Sequence, residues 1–540
     1  MNTHTAPIPE ESPDAPLARP SRRALLVLAA LLALGLGLRL YNLGARSMWY
    51  DEGFSLGMAS KMPESLTVFH PSVYDEPPMM GAVAALGEKI AGLAGLTRGF
   101  WPYDAAVKLP QVMFTMLSLL FAWGAFRRLF RRENAALLGV ALCAVSPFQV
   151  YYAQELRAYA PYICLSAALF YCSLRALEEN RVRWWAGVTA AMTLMPYTHF
   201  FSVWNIALFN CFFMAMIAAG RRDLFRSWLG SQAIAFVLVL PALLQLRYVN
   251  ASFTQVTNIY TVMPTATHGF ITFKTFLAGY SPRSAVYWPL FVLGAGLYLF
   301  GLWQLRGRRS ALFLSVLLTV VPIAANIVVW RMRTFPMYEH RLFIFSGMVA
   351  CGVMGLGLSS LRPRGAQWAA GAAVFALMTP CLADFYRQDL HPSMDHRMGV
   401  RHKIDVRGVA EYIISHARPG DVVGHASHFS QFPMRYYLEG TGIRQSMLRL
   451  SEGELTGFLN ALPRPEMWDN LGTLPRMLPE VAAEGRRMWY VETWWEPGEI
   501  PPHVKEMRRW LEEHGRMTDF KQFDGISVSL FELKQEAKQP

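Results

Sequence analysis

Between residues 24 and 383 the chain repeats one pattern: a long apolar run, then a short polar break. A bilayer core of about 30 Å needs roughly 20 apolar residues per helix. By that length, spans fall near 24–43, 106–126, 134–153, 160–177, 184–198, 200–219, 228–247, 285–304, 311–330, 342–361 and 366–383. The pattern predicts eleven membrane helices. The fifth and sixth are divided by Pro196 and the polar pair Thr198-His199; proline interrupts a helix, so two spans are read there rather than one. From 384 onward charges, His and Pro rise and no run of span length remains.

The C-terminal stretch, 384–540, is long enough for one soluble domain. Val406–Ala417 has helical periodicity and ends at Arg418-Pro419-Gly420, a helix stop. Asp421–Ala426, Met488–Trp494 and Ile526–Leu533 read as strands, and Val504–His514 as a helix. Such alternation predicts an α/β layered domain. The expected organisation is an N-terminal tail (1–23), a membrane domain (24–383) with long loops at 44–105 and 248–284, and this α/β domain (384–540).

Charge sets an expected orientation. The basic clusters are Arg22-Arg23, Arg127-Arg128 with Arg131-Arg132, Arg181 with Arg183, Arg221-Arg222 with Arg226, Arg306 with Arg308-Arg309, and Arg362 with Arg364. With eleven spans and a cytoplasmic N-terminus they all fall on one side, which is the positive-inside pattern. The C-terminal domain and the loops 44–105 and 248–284 are then expected outside the cytoplasm. The first span ends in Arg39-Leu40-Tyr41-Asn42 without a small-residue cleavage site, so it is read as a retained helix.

Composition agrees. The chain is 53% hydrophobic and 17% charged, against about 25% charged in soluble domains. That excludes a disordered protein. The net charge of +12 resides largely in the inter-span clusters, which points to membrane topology and away from nucleic acid. The six cysteines all lie in apolar runs and read as buried hydrophobes rather than a disulfide framework.

The candidate chemistry lies in the loops. Trp49-Tyr50-Asp51-Glu52 follows the first span. It reads either as a solvated pair or as a general base or metal ligand facing a membrane-level cavity. Asp75-Glu76-Pro77-Pro78 holds two carboxylates on a stiffened backbone. Gln154-Glu155-Leu156-Arg157-Ala158-Tyr159 joins two spans with little room, so Glu155 and Arg157 pair with each other, or Arg157 meets an anionic headgroup. His199 follows Tyr197-Thr198. Arg331, Arg333 and Arg341, with Glu339-His340, put positive charge on the side where topology does not ask for it. Phosphate binding and pairing with Glu339 both account for Arg341. The histidines at 391, 396, 402, 425 and 428 match no zinc spacing, so no tail-domain metal is expected.

The ordered set Arg39–Leu43, Trp49–Glu52, Glu76-Pro77-Pro78, Ser146-Pro147 with Tyr151–Tyr159, and Tyr197-Thr198-His199 resembles bacterial integral-membrane glycosyltransferases of the GT-C superfamily. The similarity is to the family-39, protein-mannosyltransferase-like group, which includes relatives of lipid A aminoarabinose transferases. Asp405–Tyr412 and Pro419–Val423 resemble the extracytoplasmic tail of bacterial members.

The resemblance implies an inverting transfer from a polyprenyl-phosphate sugar to a glycan, lipid or protein acceptor at the outer face of the bacterial inner membrane. It implies Asp51 as catalytic base with Glu52 beside it, and Glu76 as a carboxylate that shapes the site or ligates a metal. A departing phosphate calls for fixed cations, for which Arg157 comes first, then Arg341, with Arg333 beside them; Asp75, Glu155 and His199 join Glu76 as site-shaping or possible metal-ligating residues. The resemblance leaves a divalent metal open. Where aminoarabinose transferases carry Glu-Lys-Pro-Pro, this chain has Glu76-Pro77-Pro78 and lacks the lysine. A transporter or flippase is the alternative; it would place its acidic residues at midplane on broken helices of matching halves.

Overall fold

The computed structural model describes residues 17–60, 77–256, 264–332, 338–391, 400, 403–450, 471–475, 481, 487–493, 500 and 502–534. The chain is mostly helical. Helices α1 (Arg22–Leu40), α2 (Tyr50–Ser60), α3 (Met79–Leu93), α4 (Trp101–Phe130), α5 (Glu133–Val145), α6 (Pro147–Ala153), α7 (Tyr159–Glu179), α8 (Val182–Leu194) and α9 (Ser202–Ala218) come first. They are followed by α10 (Phe225–Val256), α11 (Ala266–Ala278), α12 (Ser284–Gln304), α13 (Arg309–Thr319), α14 (Val321–Arg331), α15 (Ile344–Ser360) and α16 (Arg364–Arg387). The C-terminal part holds α17 (Val406–His416), β1 (Val422–His425), α18 (His428–Leu438), β2 (Arg444–Arg449), β3 (Leu471–Thr473), β4 (Arg487–Glu492), α19 (Pro502–His514), β5 (Gly515–Phe523) and β6 (Ile526–Leu533).

Each of the eleven expected spans coincides with a helix or a bent helix pair. Among the described residues seven helices are long and apolar enough to cross a membrane, or nine if each bent pair is one span. The bent pairs are α5–α6, turned by 59°, and α13–α14, turned by 43°. The count of eleven is not reached by length. The fifth and sixth expected spans are α8 and α9, of 13 and 17 residues, because the chain leaves the helix around Pro196. The stretches expected as loops, 44–105 and 248–284, carry helices of their own: α2, α3 and the start of α4 in one, the end of α10 and α11 in the other.

The chain divides into two compact units: 1–41, 111–243 and 260–400 in the first; 42–110, 244–259 and 401–540 in the second. The core of the first is α15, buried along nearly its whole length. Its glycines explain the packing. A Cβ at Gly355 would stand 2.3 Å from the Gly139 nitrogen of α5, and one at Gly357 would stand 2.0 Å from the Leu297 oxygen of α12. Small residues let backbones approach closely where lipid supplies no hydrophobic drive between helices. At the α5–α6 bend, Ser146 caps Gln149 N–H at 3.3 Å and donates to the Phe276 carbonyl at 2.8 Å. Buried Arg39 donates to the Ala144 carbonyl at 2.9 Å, satisfying an acceptor that the broken helix orphans.

In the second unit a six-stranded sheet runs β3-β2-β1-β4-β6-β5. The first four strands are parallel; β6 is antiparallel to β4 and β5. Val504, Met507 and Leu511 of α19 are buried with Val422, Leu448, Tyr490 and Phe531 of the strands. The predicted helices 406–417 and 504–514 and the three predicted strands are all present; α18, β2, β3 and β5 were not expected.

Candidate functional site

The acidic pair after the first span opens α2. Both residues lie in its first turn, where the helix dipole favours negative charge. They face different ways. Glu52 is completely buried, with Lys108 Nζ 2.8 Å from Oε1 and Lys403 Nζ 3.2 Å from Oε2. Both lysine side chains are themselves buried, at 3% and 7% exposure. Glu52 also accepts from the Trp49 backbone N–H at 3.4 Å, the reach-back half of a capping box. A carboxylate held between two ammonium groups is a poor proton acceptor. Both Glu52 oxygens are thus engaged by buried lysines, while Asp51 is half-buried.

What surrounds α2 comes from far along the chain. Gly53 lies against α18, where a Cβ would stand 2.7 Å from the Pro433 nitrogen. Tyr50 packs edge-on against Phe429 and Phe432 at 5.2 and 5.4 Å. Met48 N–H donates to the Tyr437 hydroxyl at 2.8 Å. Buried Asp104, from the first turn of α4, accepts from Tyr436 (2.9 Å), Tyr437 (2.7 Å) and Arg407 (3.0 Å). Sequence reading missed Asp104, Lys108, Lys403 and Arg407. The available signal was two charges, Asp104 and Lys108, one turn apart at the head of an apolar run.

In the first unit a second group of charges gathers. The turn 154–158 joins α6 to α7, with Glu155 buried and Arg157 half-buried. Gln154 fixes the turn by donating to the carbonyls of Arg39 and Tyr41 at 3.0 and 2.8 Å. His199 stacks at a tilt on Tyr159 and Tyr162, 5.6 and 5.5 Å between centroids. Its Nδ1 accepts from the Phe201 backbone N–H at 3.1 Å. Desolvation pushes this imidazole down to about 3, and the positive charges of Arg157 and Arg341 push the same way. His199 is thus neutral at any ordinary pH.

Arg341 pairs with Glu339 and lies over the Tyr159 ring at 5.5 Å. The charges of Arg341, Glu339 and Glu155 are all felt at the Tyr280 hydroxyl, which meets Tyr152 OH at 2.6 Å. The structure thus brings together Glu155, Arg157, His199 and Arg341 among tyrosines. This arrangement can hold an anion by guanidinium hydrogen bonds and offer aromatic faces beside it. Asp75, Glu76 and Arg333 lie outside the described residues. Among the described residues no three His, Cys, Asp or Glu side chains gather as a metal site.

Known proteins share this architecture. Residues 75–244 match the family model described as dolichyl-phosphate-mannose-protein mannosyltransferase. No curated protein matches the sequence. The structure is similar to ArnT from Cupriavidus metallidurans in the apo state, at 15% identity and TM-score 0.56, over 94% of this chain and 98% of that one. It is similar to the same protein bound to undecaprenyl phosphate, at 14% identity and TM-score 0.58, over 94% and 98%. The Archaeoglobus fulgidus oligosaccharyltransferase in the apo form matches at 11% identity and TM-score 0.50, over 87% of this chain and 69% of that one. The chain has an ArnT-like GT-C fold, a helical membrane part followed by a small C-terminal sheet.

Proposed function

We propose that the protein is an inverting glycosyltransferase. It takes a sugar from a polyprenyl-phosphate donor and attaches it to an acceptor in cell-envelope glycan, glycolipid or protein. The observation that carries this reading is the extent of the likeness: 94% of the chain follows ArnT, in a state that holds undecaprenyl phosphate. The mannosyltransferase family match over residues 75–244 supports the same class.

The residues suit the chemistry. The acceptor oxygen forms a bond to the anomeric carbon as that carbon's bond to the phosphate oxygen breaks. The electron pair leaves on the phosphate. The acceptor proton passes to Asp51, which Glu52 does not replace because its charge is already committed to two lysines. Arg157 and Arg341 supply fixed positive charge for the departing phosphate. Neutral His199 leaves that charge undiminished without adding to it. The basic clusters between spans support a reading with the N-terminus in the cytoplasm, the spans in a bacterial inner membrane and Asp51 on the opposite face.

The test uses membranes containing the full-length protein and a panel of radiolabelled undecaprenyl-phosphate hexoses, pentoses and aminopentoses. Label is followed into envelope material, with and without a chelator. We expect transfer from one donor class, absent from membranes lacking the protein. Movement of the donor across the membrane with no transfer from any member would overturn the reading in favour of a transporter.

A further inference from the structure

The run Asp405–Tyr412 begins the C-terminal domain, and the proposed chemistry gives it no task. Its position does. Residues 403–407, at its head, fasten α2 and the approach to it at three points. Lys403 Nζ lies 3.2 Å from Glu52 Oε2. Asp405 Oδ1 accepts from the Ser47 hydroxyl at 2.9 Å while also capping α17 through Gly408 N–H at 3.0 Å. The Arg407 guanidinium donates to the Gly44 and Ala45 carbonyls at 2.9 and 2.7 Å, and the Arg407 backbone N–H donates to Ser47 Oγ at 3.1 Å. Residues 44–52 are thus held by residues 403–407, more than 350 positions later.

Asp51 stands at the end of that held stretch, one residue before the carboxylate that Lys403 grips. Consecutive helical residues are about 100° apart around the axis. A Glu52 locked inward therefore fixes the direction in which Asp51 points. Lys108 grips the other Glu52 oxygen from α4, at 2.8 Å. With both oxygens engaged the side chain is held at two points, and the helix turn that carries Asp51 is held with it.

We propose that Lys403 is a positioning residue: acting through Glu52, it aims the Asp51 carboxylate, and the C-terminal domain is thereby part of the catalytic apparatus. The proposal rests on the reading of Asp51 as base. Pre-oriented groups lower a barrier that loosely held ones do not, and misplacement by about 1 Å costs roughly a hundredfold.

The full-length protein is tested with Lys403→Ala, Lys403→Gln and Lys403→Arg. Rates are expressed per undecaprenyl phosphate bound, so that misfolded protein is not counted. Lys403→Ala should lower kcat at least tenfold with the donor KM unchanged, and should speed amide hydrogen exchange in residues 48–60. Lys403→Arg should restore most of both, and Lys403→Gln should fall between. A wild-type kcat in Lys403→Ala, or a loss that appears wholly in KM, would overturn the proposal. Should Lys403→Ala not accumulate, Lys403→Gln and Lys403→Arg carry the same comparison. Should the wild type transfer no sugar at all, the reading of function fails by itself. The exchange measurement still decides whether Lys403 holds the helix, and unchanged exchange overturns that.

Discussion

Lys108 Nζ sits 2.8 Å from Glu52 Oε1, and neither side chain reaches solvent to any extent. This pair separates two carboxylates that are neighbours in sequence. Breaking a buried ion pair by removing one partner costs about 3–5 kcal/mol, because the remaining charge is stranded. Glu52→Gln strands two, Lys108 and Lys403. It should lower the unfolding midpoint sharply, reduce the yield of folded protein and, because Glu52 holds the turn that carries Asp51, also lower kcat per folded protein as Lys403→Ala does. Chemical denaturation in detergent beside a transfer assay measures both. A stable, inactive Glu52→Gln would return Glu52 to the chemistry.

Asp51 predicts the opposite. It is half-buried at the helix start, and Asp51→Asn keeps the size and shape of the side chain. Loss of a general base costs about 10²–10⁴ in rate. Transfer from the active donor should fall by that factor with denaturation and undecaprenyl-phosphate binding unchanged. Equal activity of the variant would remove Asp51 from its role.

Arg157→Ala tests the cationic group. One hydrogen bond to a charged partner contributes about 1.5–3 kcal/mol, which is roughly a tenfold to hundredfold fall in kcat/KM. A fall confined to donor KM means Arg157 binds the ground state; an equal fall in kcat means it acts on the departing phosphate. Arg157→Lys should recover only part, since an ammonium lacks the bidentate fork. Unchanged kinetics would leave Arg157 as a structural partner of its turn.

Tyr437 joins two parts of the second unit through one hydroxyl: it donates to Asp104 at 2.7 Å and accepts from Met48 N–H at 2.8 Å. Tyr437→Phe leaves Met48 N–H without that acceptor and takes one of three donors from a fully buried carboxylate. An unsatisfied buried polar group costs about 1–3 kcal/mol, and denaturation midpoints should drop accordingly. Tyr436 and Arg407 still hold Asp104, so the protein should fold. A neutral substitution would show that water takes the place of the hydroxyl.

The helices were legible because membrane spans announce themselves by length and hydropathy, and α1, α4, α7, α12 and α16 lie close to where the apolar runs place them. The strands β1, β4 and β6 were legible as buried apolar runs of β-branched and aromatic residues. β5 was not, since its outward face is charged and polar, as Arg516, Asp519 and Lys521 show. Asp51 and Glu52 looked equivalent in sequence. What distinguishes them is Lys403, which no local pattern connects to residue 52. Lys108 is likewise invisible as a partner, since a lone lysine at the head of a span reads as an interfacial anchor. Contacts of high sequence separation decide that Glu52 is the carboxylate held between lysines, and spacing carries no information about them.

His425, at the end of β1, gives the C-terminal sheet a dependence on pH. Its ring is fully buried, with Nδ1 3.0 Å from Ser430 Oγ and Nε2 2.9 Å from Gln445 Oε1. Burial pushes it down from 6.5 to about 4, a shift that the Gln445 contact opposes. The folded state therefore refuses a proton that the unfolded chain accepts between those two values. Stability rises with pH wherever the unfolded state binds more protons. This group's contribution is thus complete above about 6.5 and declines as the pH falls toward 4, by up to about 3 kcal/mol for a shift of this size. Hydrogen exchange of β1 and its neighbours β2 and β4 in the full-length protein should quicken from pH 7 to 4.5, after correction for intrinsic rates. His425→Gln, which cannot titrate, should be less stable at pH 7 but lose less on acidification. An identical acid response in the variant would show that another group governs it.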